Sequence, residues 1–212
     1  MQGQSYEFTN SWFEGAARNI WDNLIPQINP SRILEIGSYE GASSCYLIER
    51  LAINKNIEIH CVDSWEGGIE HQPGAMSPAS MPDVEKRFHH NIKIAVQKVN
   101  HQAEVVTHKG LSHLCLVELL ASGKAGYFDF IYVDGSHQAP DVLIDAVLSF
   151  QLLKVGGYLA FDDYLWSENR PGGVDPIRCP KLAIDAFTNI YCRKLILVNA
   201  PLYQVYARKV SD

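Results

Sequence analysis

The stretch FDFIYVDGSHQAP, residues 128–140, closes an apolar run on a carboxylate, Asp134, and places an imidazole, His137, three residues further on. Imidazole titrates near neutral pH and a carboxylate can hold or orient it, so the pair suits proton transfer. A second ending of the same kind lies downstream, where an apolar run leads into Asp162 and Asp163. Structural roles compete with chemistry here. Asp134 could complement the first turn of the next helix, and His137 could cap that helix or pack on it. Neither role explains two adjacent acids directly behind an apolar strand.

The elements that would position these groups can be read from periodicity. Phe13, Ala17, Ile20 and Leu24 recur at helical spacing and predict an N-terminal helix over about 9–26. Strands then alternate with helices: SRILEIG, ASSCYLIERLA, IEIHCVD, EVVTHKG, LSHLCLVELLAS, FDFIYVDG, PDVLIDAVLSFQLL, GGYLAFDD and PKLAIDAFTNIY. KLILVNAPLYQVYARK ends the chain as two strands around a turn. This rhythm predicts one α/β domain over 1–212: a Rossmann-like, doubly wound, seven-stranded and mostly parallel sheet. The C-terminal strand should be antiparallel, with helices on both faces. Ligands in such a sheet lie at the carboxyl ends of the strands. Those ends carry Glu35 with Gly37, Asp63, Gly110, Asp134 and Asp162–Asp163. Residues at about 64–100 break the rhythm. A Gly-, Pro- and Met-rich first part suits a lid or a plain surface insertion, and Val84, Phe88, Ile92, Ala95 and Val99 predict a helix started by Ser80 and Asp83.

The first strand runs through a glycine turn into a helix, LEIGSYEGASS. Gly37 and Gly41 allow close backbone approach, and free N–H groups at the helix start suit an anion or carboxylate. The G-x-x-x-G spacing lacks the third glycine of a dinucleotide site. Glu35 would repel a pyrophosphate and welcome an ammonium or sulfonium amino acid. Asp63 can take both hydroxyls of a ribose.

With these motifs the chain resembles a class I S-adenosylmethionine-dependent methyltransferase over nearly its whole length. LEIGSYEG resembles that family's first motif, CVDSWEGG its second, THKGLS its adenine-side turn, and FDFIYVDGSH with LKVGGYLAFDDY its later ones. The resemblance implies that Glu35, Gly37, Ser38, Gly41 and Ser43 surround the amino-acid end of S-adenosylmethionine. Asp63 would hold the ribose beside Ser64 and Trp65, and Gly110, Leu111 and Ser112 would border the adenine. Asp134 would close the same site. It further resembles metal-dependent O-methyltransferases of the catechol and macrolide-sugar types. Asp134, Asp162 and Asp163 would then bind Mg2+ or Mn2+, and His137 would be the general base. The acids could also orient substrate without metal. The implied acceptor is a small hydroxylated molecule, a sugar or a secondary metabolite. Arg170 and Arg178 lie where its pocket would be, Tyr164 and Trp166 could wall the acceptor or pack under the next helix, and His71, in the possible lid, could touch substrate or be a solvated loop residue. A nicotinamide-dependent oxidoreductase and a methyltransferase-like binding protein without turnover are the rival readings.

Composition bounds the partners. The chain has 212 residues, 47% hydrophobic and 20% charged, with net charge −6. That balance opposes a general nucleic-acid binder, which needs a basic face. No apolar run approaches bilayer length and no signal peptide is visible, so no membrane partner is expected. Five cysteines without C-x-x-C spacing suit free thiols in the cytoplasm rather than zinc. The N-terminal and insertion helices could pair two copies as a homo-oligomer.

Overall fold

In the computed structural model, residues 5–72, 74–168 and 172–212 are described. Seven strands form one sheet: β1 (Arg32–Ile36), β2 (Ile57–Asp63), β3 (Ala103–Lys109), β4 (Phe128–Val133), β5 (Leu153–Phe161), β6 (Leu195–Val198) and β7 (Val205–Lys209). Their order is β3-β2-β1-β4-β5-β7-β6. The first five pair in parallel, and β7 lies antiparallel between β5 and β6. The helices are α1 (Trp12–Gly15), α2 (Arg18–Ile28), α3 (Ala42–Leu51), α4 (Met81–Gln97), α5 (Ser112–Ala121), α6 (Ala139–Leu152) and α7 (Pro180–Ile190).

Successive strand residues point to opposite faces, so neighbours in one strand enter two cores. Ile33, Ile59, Phe130 and Tyr132 join α2, α3 and α4 around Trp21 and Phe88. Leu34, Ile36, Ile131 and Val133 join α5, α6 and α7 around Phe150 and Phe187. The helices therefore cover both faces, as the strand–helix alternation predicts.

Three local features differ from the periodicity. The N-terminal helix is two helices, parted after Gly15, a weak helix former. Its second half passes Pro26 and ends at Asn29 in the left-handed region (φ 47°). β5 starts at Leu153 instead of at the glycine pair. The insertion is also not a lid throughout. α4 starts after Ser80 as expected, although the Ser80 side chain makes no capping bond, and it buries Val84, Phe88, Ile92 and Ala95 in the first core. The apolar faces of α2 and α4 are thus used inside the chain. Among the described residues no helix is long and apolar enough to cross a membrane.

The residues before α1 strap across to the insertion. Glu40, buried in the turn after β1, accepts bonds from the backbone N–H and hydroxyl of Thr9 (2.7 and 2.8 Å) and from Arg87 of α4 (2.6 Å). Buried Asn91 of α4 accepts from the Glu7 N–H (2.7 Å) and donates to the carbonyls of Glu7 and Glu40.

The ends of the central strands are locked together. The Asp134 N–H donates to the Ile36 carbonyl and the Gly37 N–H to the Val62 carbonyl, each at 2.8 Å. Gly37 has φ +86°, and a Cβ there would stand 2.0 Å from the Asp134 carbonyl oxygen. Backbone atoms cannot yield to that contact. We predict that Gly37→Ala costs on the order of 4 kcal/mol of stability. Gly123→Ala, at the same kind of φ (+85°) but with nothing within 4 Å, should cost only the conformational penalty of about 1–2 kcal/mol. Urea denaturation of the two variants checks this, and equal losses would remove the steric explanation.

Candidate functional site

A cavity of about 1510 Å3 opens along the carboxyl ends of the strands. It exceeds the roughly 300–1,000 Å3 of an ordinary small-molecule pocket. Its floor is formed by the β1 turn (Gly37, Ser38), the β2 end (Asp63, Ser64) and the β3 end (Gly110, Leu111, Ser112). One end is acidic, with Asp134, His137, Asp162 and Asp163. The strap, α1 and the first part of the insertion complete the wall through Ser11, Trp12 and Glu70.

Most residues singled out from the sequence meet here, but not all face the cavity. Glu35 is fully buried and is not among the lining residues. It lies under the turn, where the hydroxyls of Ser43 and Ser44 donate to its two oxygens. Burial raises its pKa against those bonds. Gly41 starts α3 with φ +80°, and a Cβ there would press on the Phe88 ring at 3.0 Å, so it serves packing on α4. Trp65 is also buried. Its indole N–H donates to the Tyr39 carbonyl (3.0 Å) and its ring packs on Phe88. Strand-end position is legible in sequence; the direction of each side chain is not.

Asp63 does line the cavity. It accepts backbone N–H bonds from Tyr39 (2.8 Å) and Trp65 (2.7 Å), while burial still raises its pKa. Ser38 contributes a buried hydroxyl at the cavity floor that is turned toward Glu35 without completing a hydrogen bond.

At the acidic end, His137 Nε2 is 2.8 Å from Asp163 Oδ2. Its Nδ1 is buried without a hydrogen bond, 3.7 Å from Glu70 Oε1. The Trp166 ring covers the imidazole at 4.1 Å between centroids. Burial alone would lower the His137 pKa. The hydrogen bond and charge of Asp163, with the charges of Glu70 and Asp162, outweigh it and raise the pKa. Asp163 itself has φ +56°, in the left-handed region. Asp162 accepts from the Tyr132 hydroxyl, from Gln204 Nε2 (2.9 Å) and from the Asp163 N–H (2.8 Å). Burial and the Asp163 charge push its pKa up to about 6. Asp134 is raised well above the usual range by burial and by the charges of Asp162, Asp163 and Glu35.

These carboxylates suit a hard divalent cation by donor type and by their crowded negative charge. They are not preassembled as ligands. Among the described residues no group of three His, Cys, Asp or Glu side chains is arranged to hold a metal ion. Asp163 faces His137, and Asp162 faces protein donors.

The flanking residues separate into two groups. Trp166 and His71 line the cavity, whereas the Tyr164 hydroxyl donates to Asp185 on α7 (2.7 Å). Arg178 pairs with Glu168 (2.8 Å). Arg170 lies outside the described residues. Sequence reading missed Trp12, Tyr39, Glu70 and Asp145, which also line the cavity. Trp12, Tyr39 and His71 form a ring cluster with centroids 5.2–6.2 Å apart. α1, the turn after β1 and the insertion meet there through the tertiary fold, which no local spacing encodes. Asp145 did carry a signal, an acid among the apolar positions Val142, Ala146 and Phe150 of α6.

Known proteins share this architecture. A family model described as a methyltransferase domain matches residues 34–164. A probable caffeoyl-CoA O-methyltransferase 3 of Dictyostelium discoideum is 26% identical over 175 residues, covering 78% of this chain. The chain spans 60% of the length of that relative. An O-methyltransferase of Bacillus cereus, solved in complex with SAH, superposes with a TM-score of 0.61 at 16% identity, covering 98% of this chain and 84% of that one. An O-methyltransferase of Streptomyces achromogenes, solved with SAM and involved in tomaymycin synthesis, gives 0.60 at 17% identity, with 91% and 79% covered. At such identities the structures show the shared fold. The family match, covering more than half of the chain, goes further: the protein belongs to the class I S-adenosylmethionine-dependent methyltransferases.

Proposed function

We propose that the protein transfers a methyl group from S-adenosylmethionine to a hydroxyl of a small acceptor. The observation that carries this reading is His137, held by Asp163 on the wall of a cavity whose floor is the Gly37 turn and Asp63. Family membership sets aside the nicotinamide reading.

The donor's cationic sulfur suits a cavity lined by buried carboxylates. Gly37 and Ser38 lie where its amino-acid end would rest, and Asp63 has lone pairs left for ribose hydroxyls. The acceptor oxygen attacks the methyl carbon, the carbon–sulfur bond breaks, and its electron pair stays on sulfur as a neutral thioether. The acceptor proton must leave. His137 Nδ1, closed off from the cavity, carries the single ring proton of the neutral imidazole once the acceptor hydroxyl replaces Asp163 at Nε2, and Nε2 then takes the acceptor's proton, giving the imidazolium. Asp163 and Glu70 then balance the imidazolium charge. Trp12, Tyr39, His71 and Trp166 give the acceptor apolar and ring surfaces.

A divalent ion completes the proposal. Asp134, Asp162 and Asp163 would hold Mg2+ or Mn2+ once Asp163 turns from His137, and the ion would supply a Lewis acid that lowers the pKa of the acceptor hydroxyl.

Calorimetry should show one S-adenosylhomocysteine site per chain, and labelled donor should methylate members of a panel of hydroxylated acceptors. His137→Ala should reduce turnover about 10^2–10^4-fold with unchanged S-adenosylhomocysteine affinity. A variant as fast as the parent removes His137 from the chemistry, and binding without any transfer favours the binding-protein reading. Treatment with EDTA should stop turnover and added Mg2+ should restore it; turnover that survives chelation takes the three aspartates out of a metal role.

A further inference from the structure

The mechanism above leaves one buried acid in the cavity wall without a task. Asp145 on α6 is 1% exposed, and neither carboxylate oxygen has a hydrogen-bond partner. It lines the cavity beside Ser112 on the first turn of α5, without completing a bond to it. A buried carboxyl with both oxygens unpaired costs free energy, so a protein that keeps one generally has a partner for it. Leu111 and Ile144, 50% and 45% exposed, line the same cavity. They offer apolar surface for a flat ring next to a polar edge-reader.

The direction of the donor follows from the chemistry. Its sulfonium must reach the His137 end for transfer, and Asp63, at the end of β2, lies on the ribose path. The base therefore extends beyond Asp63 toward Gly110 and Ser112, the end that α6 closes. We propose that Asp145 recognises the donor's adenine, accepting a hydrogen bond from its exocyclic amine. This inference rests on S-adenosylmethionine being the donor.

Burial pushes the Asp145 carboxyl up to about 7, and Asp141 adds to the shift. Near neutral pH it is then present partly as the acid. In that form one oxygen accepts from the amine while the O–H donates to the adjacent ring nitrogen. An asparagine side chain can offer the same acceptor and donor to adenine.

The test compares the affinity of S-adenosylhomocysteine with that of its purine analogue, which lacks only the exocyclic amine. The parent protein should prefer S-adenosylhomocysteine by about tenfold or more. Asp145→Leu should abolish that preference by weakening S-adenosylhomocysteine more than the analogue, which keeps the ring nitrogen and loses only that one bond. Asp145→Asn should retain most of it. Ligand-free melting temperatures of both variants should not fall, since no bond is lost. An Asp145→Leu protein that keeps the preference, or ligand-free melting lowered in both variants, overturns the role of Asp145. A parent protein that binds neither ligand overturns the donor reading itself.

Discussion

A carbonyl oxygen occupies the space where a side chain on Gly37 would stand. Because the Asp134 backbone comes this close, the turn after β1 and the end of β4 form one rigid piece. Hydrogen bonds past the strand ends extend that piece sideways: Gly37 is tied to β2, Gly110 to Asp63, and Asp162 to Val133. The distance between the Gly37 turn and the acidic end is therefore fixed by the sheet and not by loops. Positioning of this kind is what an in-line transfer between two bound molecules requires.

That rigidity concentrates negative charge. Glu35, Asp63, Asp134 and Asp162 all have raised pKa values because burial disfavours the ionised form. The fold offsets part of the cost with donors: serine hydroxyls at Glu35, backbone N–H groups at Asp63, and Tyr132 with Gln204 at Asp162. What remains is a cavity short of positive charge. A sulfonium donor suits that deficit, and so does a divalent ion at the far end.

The sheet and the ordering of its strand ends were legible because apolar runs closing on Gly, Asp or Glu are local patterns. Asp63, Asp134, His137, Asp162 and Asp163 could be assembled at one edge from topology alone. Facing could not be read. Glu35, Gly41 and Trp65 occupy the expected turns yet serve the core, since their directions depend on contacts with Ser43, Ser44, Tyr39 and Phe88. The pairing of Asp163 with His137 depends on a left-handed backbone at a non-glycine residue, which sequence pattern does not announce. The insertion misled for another reason. Its helix has the apolar spacing of a surface element, and only its packing on α3 shows that it belongs to the core.

Glu40 and Asn91 join the two segments that stand outside the strand–helix alternation, the strap before α1 and the helix of the insertion. Both segments border the cavity or brace the part that does, and both are fastened to Glu40 in the turn after β1. A change in the strap therefore reaches the insertion through Glu40 and Asn91, and a change in the insertion reaches the strap. Replacing either one alone would leave the fastening carboxylate or amide short of a partner.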